Sequence, residues 1–290
     1  MNYKKLFSAT RPVKLFFIAS LPGAISMLAS ALYQLLDGIF VGHVLGNSSF
    51  AALNLAFPFV IVNFALADLI GVGSAVPISV NLGRKQEEEA NNIFSCSCLM
   101  IVVTGAATGA LLYVLAPALI GMMGAEGNTA LLAVRYLRVY AVCSPVTTIV
   151  FAMDNYLRIC GKIRFSMFLN ILMSVMSAGL EALFLFVFRT DIRGAALGTC
   201  LSMMICAVIA TAPFAAKKLQ LRFRRPRFHG RLIREIVTCG SPNFLNNIAG
   251  RVTSILMNTL LLRWGGEDAV NIYGVLMYAD GFVQPLLYGM

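Results

Sequence analysis

Long apolar stretches without a charged residue dominate the pattern along this chain. Residues 15–36, 90–125 and 194–216 contain no Asp, Glu, Lys or Arg. About 20 apolar residues cross a bilayer as a helix, and backbone groups in lipid must be hydrogen-bonded within the chain, which favours helices. The breaks between apolar stretches predict eight helices, at residues 15–42, 52–82, 92–118, 130–157, 164–188, 194–216, 233–262 and 269–290. The pattern predicts an all-α polytopic membrane protein.

The composition excludes the alternative of two soluble domains, which a length of 290 residues would otherwise suggest. Hydrophobic residues make up 59% of the chain, charged residues only 12%, and the mean hydropathy is +0.80. Soluble domains carry roughly 25% charged residues. The first apolar stretch is longer than a signal-peptide core and leads directly into further helices, so we interpret it as a retained first span.

The distribution of lysine and arginine predicts the orientation of the spans. With the N-terminus on the cytoplasmic side, the predicted outer loops hold only Arg189, Arg193 and Arg263. The predicted inner segments hold seventeen basic residues: Lys4, Lys5, Arg11, Lys14, Arg84, Lys85, Arg158, Lys162, Arg164, Lys217, Lys218, Arg222, Arg224, Arg225, Arg227, Arg231 and Arg234. By the positive-inside rule we expect a multi-pass protein of a bacterial plasma membrane with a cytoplasmic N-terminus.

The long basic loop after the sixth predicted helix has two further interpretations. Its arginines could bind nucleic acid or acidic lipid, besides fixing the topology next to an anionic leaflet. RNA recognition usually adds stacking aromatic side chains, and only Phe223 and Phe228 are available here. We therefore favour a topology determinant and expect no nucleic-acid partner.

A weak internal repeat follows this loop. Residues 17–54 align with residues 237–274, so that Pro22 meets Pro242 and Gly46 meets Gly266. Six-plus-six repeats are a common transporter plan with the substrate site between the halves. We expect a six-helix lobe at residues 1–216, a cytoplasmic loop at 217–232, and the first two helices of a second, incomplete lobe at 233–290. On this interpretation the chain is truncated at its C-terminus.

Carboxylates within the predicted spans are the candidate functional residues, because a charge at the bilayer centre costs about 2.5–3.5 kcal/mol on insertion scales. Asp37 ends a polar and small stripe on helix 1 that includes Tyr33, and Glu181 ends a stripe on helix 5 that includes Asn170 and Ser177. Both acids lie roughly 12 Å below the predicted outer surface at 1.5 Å per residue. We expect them to meet and to share a proton or hold a cation such as Na⁺.

The other intramembrane charged residues have open interpretations. Asp68 and Asp280 could face a central cavity and attract a cationic ligand, or make structural hydrogen bonds. Asp154 lies four residues before Arg158, and an i,i+4 ion pair accounts for it. Arg251 could line the cavity or neutralise one of the acids.

Enzymatic chemistry is not indicated by the residues. No nucleophile-plus-base arrangement or phosphate-binding loop occurs, and the seven cysteines and two histidines form no metal-ligand or disulfide pattern. We expect no cofactor and no metal site other than Na⁺ at Asp37 and Glu181. An ion gradient is the predicted energy source.

Several segments resemble the multidrug and toxic compound extrusion family. These are LYQLLDGIFVGHVLG, AALNLAFP, GVGSAVPISVNLGRKQEEEAN, DNYLRICGKIRFSM, FLFVFRTDIRGAALGT and GSPNFLNNIAG. The resemblance implies twelve helices in two lobes and antiport of organic cations against Na⁺ or H⁺. It places Asp37 at the family's helix 1 acid, Glu181 where many members carry Asp, and Ser177 where Asn is common. Gly250 stands where one branch carries a Glu, so the chain is similar to the branch that couples through the N-terminal lobe.

These observations predict a monomeric secondary exporter whose partners are amphipathic organic cations and the lipid bilayer. An alternative is a lipid-linked saccharide flippase, which would use a cavity arginine such as Arg251 to hold pyrophosphate. A membrane-embedded enzyme is a third class, without a supporting motif in the sequence.

Overall fold

The computed structural model describes the backbone of residues 12–217 and 219–288, and the side chains of residues 23, 25–217, 219–277 and 279. All regular structure in these ranges is helical, as the hydrophobic pattern predicts. The elements are α1 (Pro12–Phe40), a π-helical turn (Val41–Leu45), α2 (Asn47–Gly83), α3 (Glu87–Met122), α4 (Gly127–Thr147), α5 (Ile149–Ile159), α6 (Ile163–Ala182), a second π-helical turn (Leu183–Val187), α7 (Ile192–Ala215) and α8 (Gly230–Tyr288).

Six segments of the described chain are long and apolar enough to cross a membrane. They correspond to the first six predicted spans and are Ile25–Leu45, Asn47–Gly83, Glu87–Met122, Gly127–Ile159, Ile163–Val187 and Ile192–Ala215. The fourth of these combines α4 and α5, which meet at Thr148. Pro145 has no N–H to donate to the preceding turn, which accounts for a break at this point.

The last two predicted helices are the two arms of α8. They meet at Gly266, whose φ of 67° and ψ of −163° are not helical. The sequence places the boundary between these helices correctly, because a glycine tolerates the left-handed φ that the bend requires. α8 is not among the six segments that meet the hydropathy criterion within the described residues.

The buried apolar side chains form two main clusters at opposite ends of the bundle. One lies near Gly46 and combines the first half of α2 with α4, the end of α3 and the start of α7. The other lies near Arg84 and combines the second half of α2 with α5, the start of α3 and the first turns of α8. We refer to these as the Gly46 end and the Arg84 end. α2 runs through both clusters and is the central helix of the described chain.

α2 and α8 cross in direct backbone contact at the Arg84 end. A Cβ atom on Gly240 would lie 1.9 Å from the Leu69 carbonyl oxygen, and one on Gly73 would lie 2.1 Å from the Ile236 carbonyl oxygen. No side chain other than hydrogen fits at either position. The crossing therefore fixes the separation of α2 and α8 through two facing glycines, a contact typical of packed membrane helices.

At the Gly46 end, the carboxylate of Glu267 joins α8 to two other helices. Ser48 in the first turn of α2 donates to Glu267 Oε2 over 3.1 Å. Thr129 in the first turn of α4 donates to Glu267 Oε1. A negative charge is favourable at the N-termini of helices, so Glu267 holds the bend of α8 against the first turns of α2 and α4.

We expect Gly240→Ala to lower the stability of the purified protein, because the new methyl group must push α8 away from the Leu69 carbonyl. Overpacking of this kind costs about 1–3 kcal/mol. Thermal unfolding in detergent measures the effect as a lower Tm. Gly250→Ala in the same helix is the control, because a Cβ at Gly250 meets nothing within 4 Å. Equal Tm values for the two variants would contradict the close crossing.

Candidate functional site

Asp37 and Glu181 lie in helices that deviate from α-geometry shortly after each acid. Asp37 precedes the π-helical turn Val41–Leu45, and Glu181 precedes the π-helical turn Leu183–Val187. Single π-helical turns inside α-helices occur frequently at functional sites. The two acid-bearing helices therefore share a local distortion at the same depth of the bundle.

The two carboxyl groups are buried and contact each other. Asp37 is 6% exposed and Glu181 is fully buried, and their side chains lie within hydrogen-bonding range. Asp37 Oδ1 and both carboxyl oxygens of Glu181 receive no hydrogen bond from a protein donor in the described chain. Two facing carboxylates are acceptors only, so a hydrogen bond between them requires a proton on one of them. The geometry suits a shared proton or a bound cation.

α7 closes the site from the side of Glu181. A Cβ atom on Gly198 would lie 2.9 Å from the Glu181 amide nitrogen and 3.0 Å from its Cα. The absence of a side chain at Gly198 lets α7 approach the backbone of α6 at this residue. Close packing excludes water from the Glu181 carboxyl, which makes an uncompensated charge there costly.

Buried hydroxyl groups lie near the two acids without donating to Asp37 Oδ1 or to the Glu181 carboxyl in the described chain. Tyr33 Oη and Thr199 Oγ1 form a hydrogen bond of 2.5 Å that joins α1 to α7. Tyr136 and Tyr140 on α4 are buried, with their hydroxyls 3.5 Å apart, and Asp37 lies within electrostatic range of both. Carboxylate and hydroxyl oxygens are the ligand atoms that hard cations prefer.

The stripe on helix 1 predicted Tyr33 as a site residue, but the sequence pattern did not indicate Tyr136, Tyr140 or Thr199. Tyr136 and Tyr140 are spaced one helical turn apart on α4, which is the signal that could have found them. Thr199 follows the Gly198 that packs on Glu181. Nothing in one sequence indicates that α4 and α7 approach the acid-bearing helices, because their order in the bundle is a tertiary property.

Ser177 does not contact the acids in this structure. Its hydroxyl hydrogen-bonds to Ser202 on α7, and Ser202 also donates to the Thr199 carbonyl oxygen over 2.8 Å. Ser177 therefore ties α6 to α7 one turn away from Glu181. Its predicted part in cation coupling stays a prediction.

Asn170 belongs to a separate polar cluster centred on Asp154. The Asp154 carboxylate accepts hydrogen bonds from Ser166 and from Asn170 Nδ2, the latter over 2.9 Å. Arg158 pairs with the same carboxylate over 2.9 Å, as the i,i+4 spacing predicts. The amide predicted to line a substrate cavity is thus engaged in a structural network that joins α5 to α6.

Asp68 and Arg251, two of the remaining predicted cavity residues, form no ion pair with the acid pair in the described chain. Asp68 is half-buried on α2 and forms no ion pair within the described chain, although Asp154 lies within electrostatic range of it. Arg251 is half-buried on α8, and its Nε is buried without a hydrogen-bond partner among the described residues. Arg251 neutralises none of the acids whose side chains are described. The side chain of Asp280 lies outside the described residues.

No group of three or more His, Cys, Asp or Glu side chains placed to hold a metal ion occurs among the described residues. Any bound cation at the acid pair would rely on the two carboxyl groups together with hydroxyl or carbonyl oxygens.

Ionisable residues buried inside a bundle of membrane-spanning helices are rare and usually functional. The family model described as MatE matches residues 22–183, which is more than half of the chain. The chain belongs to the MatE family.

Curated relatives are similar over most of the chain. The multidrug export protein MepA of Staphylococcus aureus strain MSSA476 is 26% identical over 274 residues, covering 93% of this chain and 60% of the relative. MepA of Staphylococcus haemolyticus strain JCSC1435 is 27% identical with the same coverage. The chain thus spans about 60% of the length of these relatives.

Solved structures share the fold. The MATE multidrug transporter DinF-BH matches with a TM-score of 0.91 and 29% identity, over 97% of this chain and 64% of that chain. An inward-facing multidrug resistance MATE family transporter of the MOP superfamily matches with a TM-score of 0.80 and 25% identity, over 87% and 60% respectively.

We expect Glu181→Gln to raise the stability of the purified protein in Na⁺-free buffer. The glutamine amide can donate to Asp37 Oδ1 without a bound proton or cation, a hydrogen bond worth about 1 kcal/mol. Chemical unfolding in detergent measures the gain. Glu126→Gln is the control, because Glu126 is exposed and its side chain makes no capping bond. A loss of stability specific to Glu181→Gln would contradict the expected hydrogen bond between the amide and Asp37 Oδ1.

Proposed function

We propose that this chain is part of a secondary active exporter that antiports amphipathic organic cations against H⁺ or Na⁺ by alternating access. The single observation that carries the proposal is the contact between the buried Asp37 and Glu181 carboxyl groups. Membership of the MatE family and similarity to proteins named for multidrug export support it. The coupling ion would bind where the two acids meet.

Binding of the ion changes the force between two helices. Unoccupied and ionised, the carboxyl groups of α1 and α6 repel each other, and burial strengthens the repulsion. A proton or cation between them removes the repulsion and draws the helices together. The π-helical turns Val41–Leu45 and Leu183–Val187 lie directly beyond the acids, where a change of helix geometry would alter the neighbouring surface.

The same charges explain antiport. Two ionised acids attract an organic cation, whereas a bound H⁺ or Na⁺ lowers their negative charge and weakens this attraction. By linkage, each ligand then lowers the affinity of the other by the same factor. Exchange follows if the ion and the organic cation occupy the site on alternate halves of the cycle.

The domain plan and the orientation are part of the proposal. Residues 1–216 would form the first lobe, 217–232 the inter-lobe loop and 233–290 the start of a second lobe. The basic ends of α2, α5 and α7 would face the cytoplasm of a bacterium, with the acid pair nearer the outer surface. The facing glycines Gly73 and Gly240 would then close the cytoplasmic side, and Glu267 would join α8 to α2 and α4 at the outer side.

We expect Asp37→Asn to reduce efflux of a fluorescent organic cation at least tenfold, with unchanged expression and membrane insertion. The neutral amide takes up no proton at neutral pH and supplies no negative charge to hold a cation, so the exchange loses its coupling ion. Efflux from cells expressing the chain, compared with its Asp268→Asn control, measures the effect; Asp268 is exposed. Wild-type efflux by Asp37→Asn would contradict the role of Asp37, and an equal loss of efflux in Asp37→Asn and Asp268→Asn would contradict coupling through the acid pair.

A lipid-linked saccharide flippase is the second candidate, favoured by the buried, unpartnered Nε of Arg251. A cavity arginine suits a pyrophosphate ligand. Under the exporter hypothesis we expect Arg251→Glu to retain efflux of organic cations and to leave the export of cell-wall precursors unchanged. Loss of precursor export with unchanged cation efflux would instead support the flippase.

A further inference from the structure

The basic segment at residues 219–229 is fixed to the start of α3 by side chains of that helix. The Arg222 and Arg227 amides donate to Asn91 Oδ1 over 2.6 Å and to Asn92 Oδ1 over 2.8 Å. The Arg224 amide donates to Ser95 Oγ over 2.9 Å. We call residues 219–229 the strap. A merely charged topology loop would not require three polar side chains that bind its backbone.

The strap has no helical structure, and its buried and exposed side chains alternate over residues 219–222. Leu219 and Leu221 are 7% and 0% exposed, and the Phe223 ring packs on Phe94 with centroids 4.9 Å apart. The opposite side carries the exposed Arg222 and Arg224, and further exposed arginines follow at 225 and 227. The apolar side chains of Leu219, Leu221 and Phe223 therefore attach the strap to the protein, and the guanidinium groups are exposed.

Most of these arginines lack a protein counterion. Arg224 pairs with Glu88 over 2.8 Å. Arg222, Arg225 and Arg227 form no ion pair with any residue in the described chain. Three exposed guanidinium groups held by a fixed backbone can bind phosphate oxygens in a bidentate manner.

The strap lies at the end of a face of α3 that is otherwise exposed along its length. Asn92 and Cys96 lie beneath the strap. Leu99, Val103 and Val114 lie further along the same side of α3 at helical spacing. These three side chains are 44%, 59% and 73% exposed, as expected for a face in contact with lipid tails. Leu99 lies only about 6 Å along the helix from Ser95, at 1.5 Å per residue. The strap arginines therefore border the lipid-facing surface at the depth of lipid headgroups.

We propose that the strap is a binding surface for the phosphate groups of anionic phospholipids. Its buried leucines and the α3 side chains Asn91, Asn92 and Ser95 hold the backbone, and Arg222, Arg225 and Arg227 bind the headgroups of the adjoining leaflet. This surface is separate from the acid pair, and lipid binding at the strap does not depend on transport.

The test compares two triple variants of the full chain in lipid nanodiscs. Arg222→Gln/Arg225→Gln/Arg227→Gln removes the unpaired strap charges. Arg189→Gln/Arg193→Gln/Arg263→Gln removes three exposed arginines at the opposite end of the bundle, with the same change in net charge. Native mass spectrometry and thermal unfolding measure the retention of phosphatidylglycerol against phosphatidylcholine.

We expect the wild type and the control variant to retain phosphatidylglycerol preferentially and to unfold at higher temperature in its presence. The strap variant should lose this preference, by about fivefold in affinity per arginine. Asn92→Ala keeps every arginine but releases the Arg227 backbone, and it should weaken the preference with little change of Tm in phosphatidylcholine. An equal loss in both triple variants would overturn the proposal, because net charge alone would then explain binding. Tighter binding of an RNA oligonucleotide than of phosphatidylglycerol by the same arginines would overturn it in favour of a nucleic-acid surface.

Discussion

The facing carboxyl groups of Asp37 and Glu181 impose the strongest physical constraint in this bundle. Three of their oxygens are buried without a protein donor, in a place where ionised groups lose most of their hydration. Such a contact is stable only when a proton or a cation lies between the acids. The packing around it is close, because Gly198 lets α7 lie directly against Glu181. The polar groups nearby are the hydroxyls of Tyr33, Tyr136, Tyr140 and Thr199 rather than positive charges.

Asp154 is a half-buried carboxylate whose oxygens are already engaged by protein donors. It receives a guanidinium, an amide and a hydroxyl from Arg158, Asn170 and Ser166. A carboxylate with three donors has little capacity for a further ligand. The Asp154 oxygens have protein donors, whereas the Glu181 oxygens have none in the described chain. This difference distinguishes a structural acid from one that can bind an ion. Neither the charge of the residue nor its position in the sequence makes that distinction.

The long helix α8 adds a mechanical constraint. Near its start it is held to α2 by the Gly73 and Gly240 backbone contact, and at its bend Glu267 holds it to α2 and α4. The glycine contact depends on van der Waals packing, whereas the Glu267 contact depends on hydrogen bonds, so the two contacts respond differently to a change of charge or solvent.

The class of fold, six spans close to their observed bounds, the helix boundary at Gly266 and the Asp154–Arg158 pair could be predicted from the sequence. These features depend on apolar length, glycine and proline conformation, and i,i+4 spacing, all of which are local along one chain. The stripes also indicated that Asp37 and Glu181 lie at equal depth. The packing of the helices was needed to show that Asn170 donates to Asp154, that Ser177 hydrogen-bonds to Ser202, that Tyr136, Tyr140 and Thr199 lie near the acid pair, and that the strap is bound to α3. The reason is that helical periodicity fixes which side of a helix a residue occupies, whereas the neighbour on that side is set by how the helices pack.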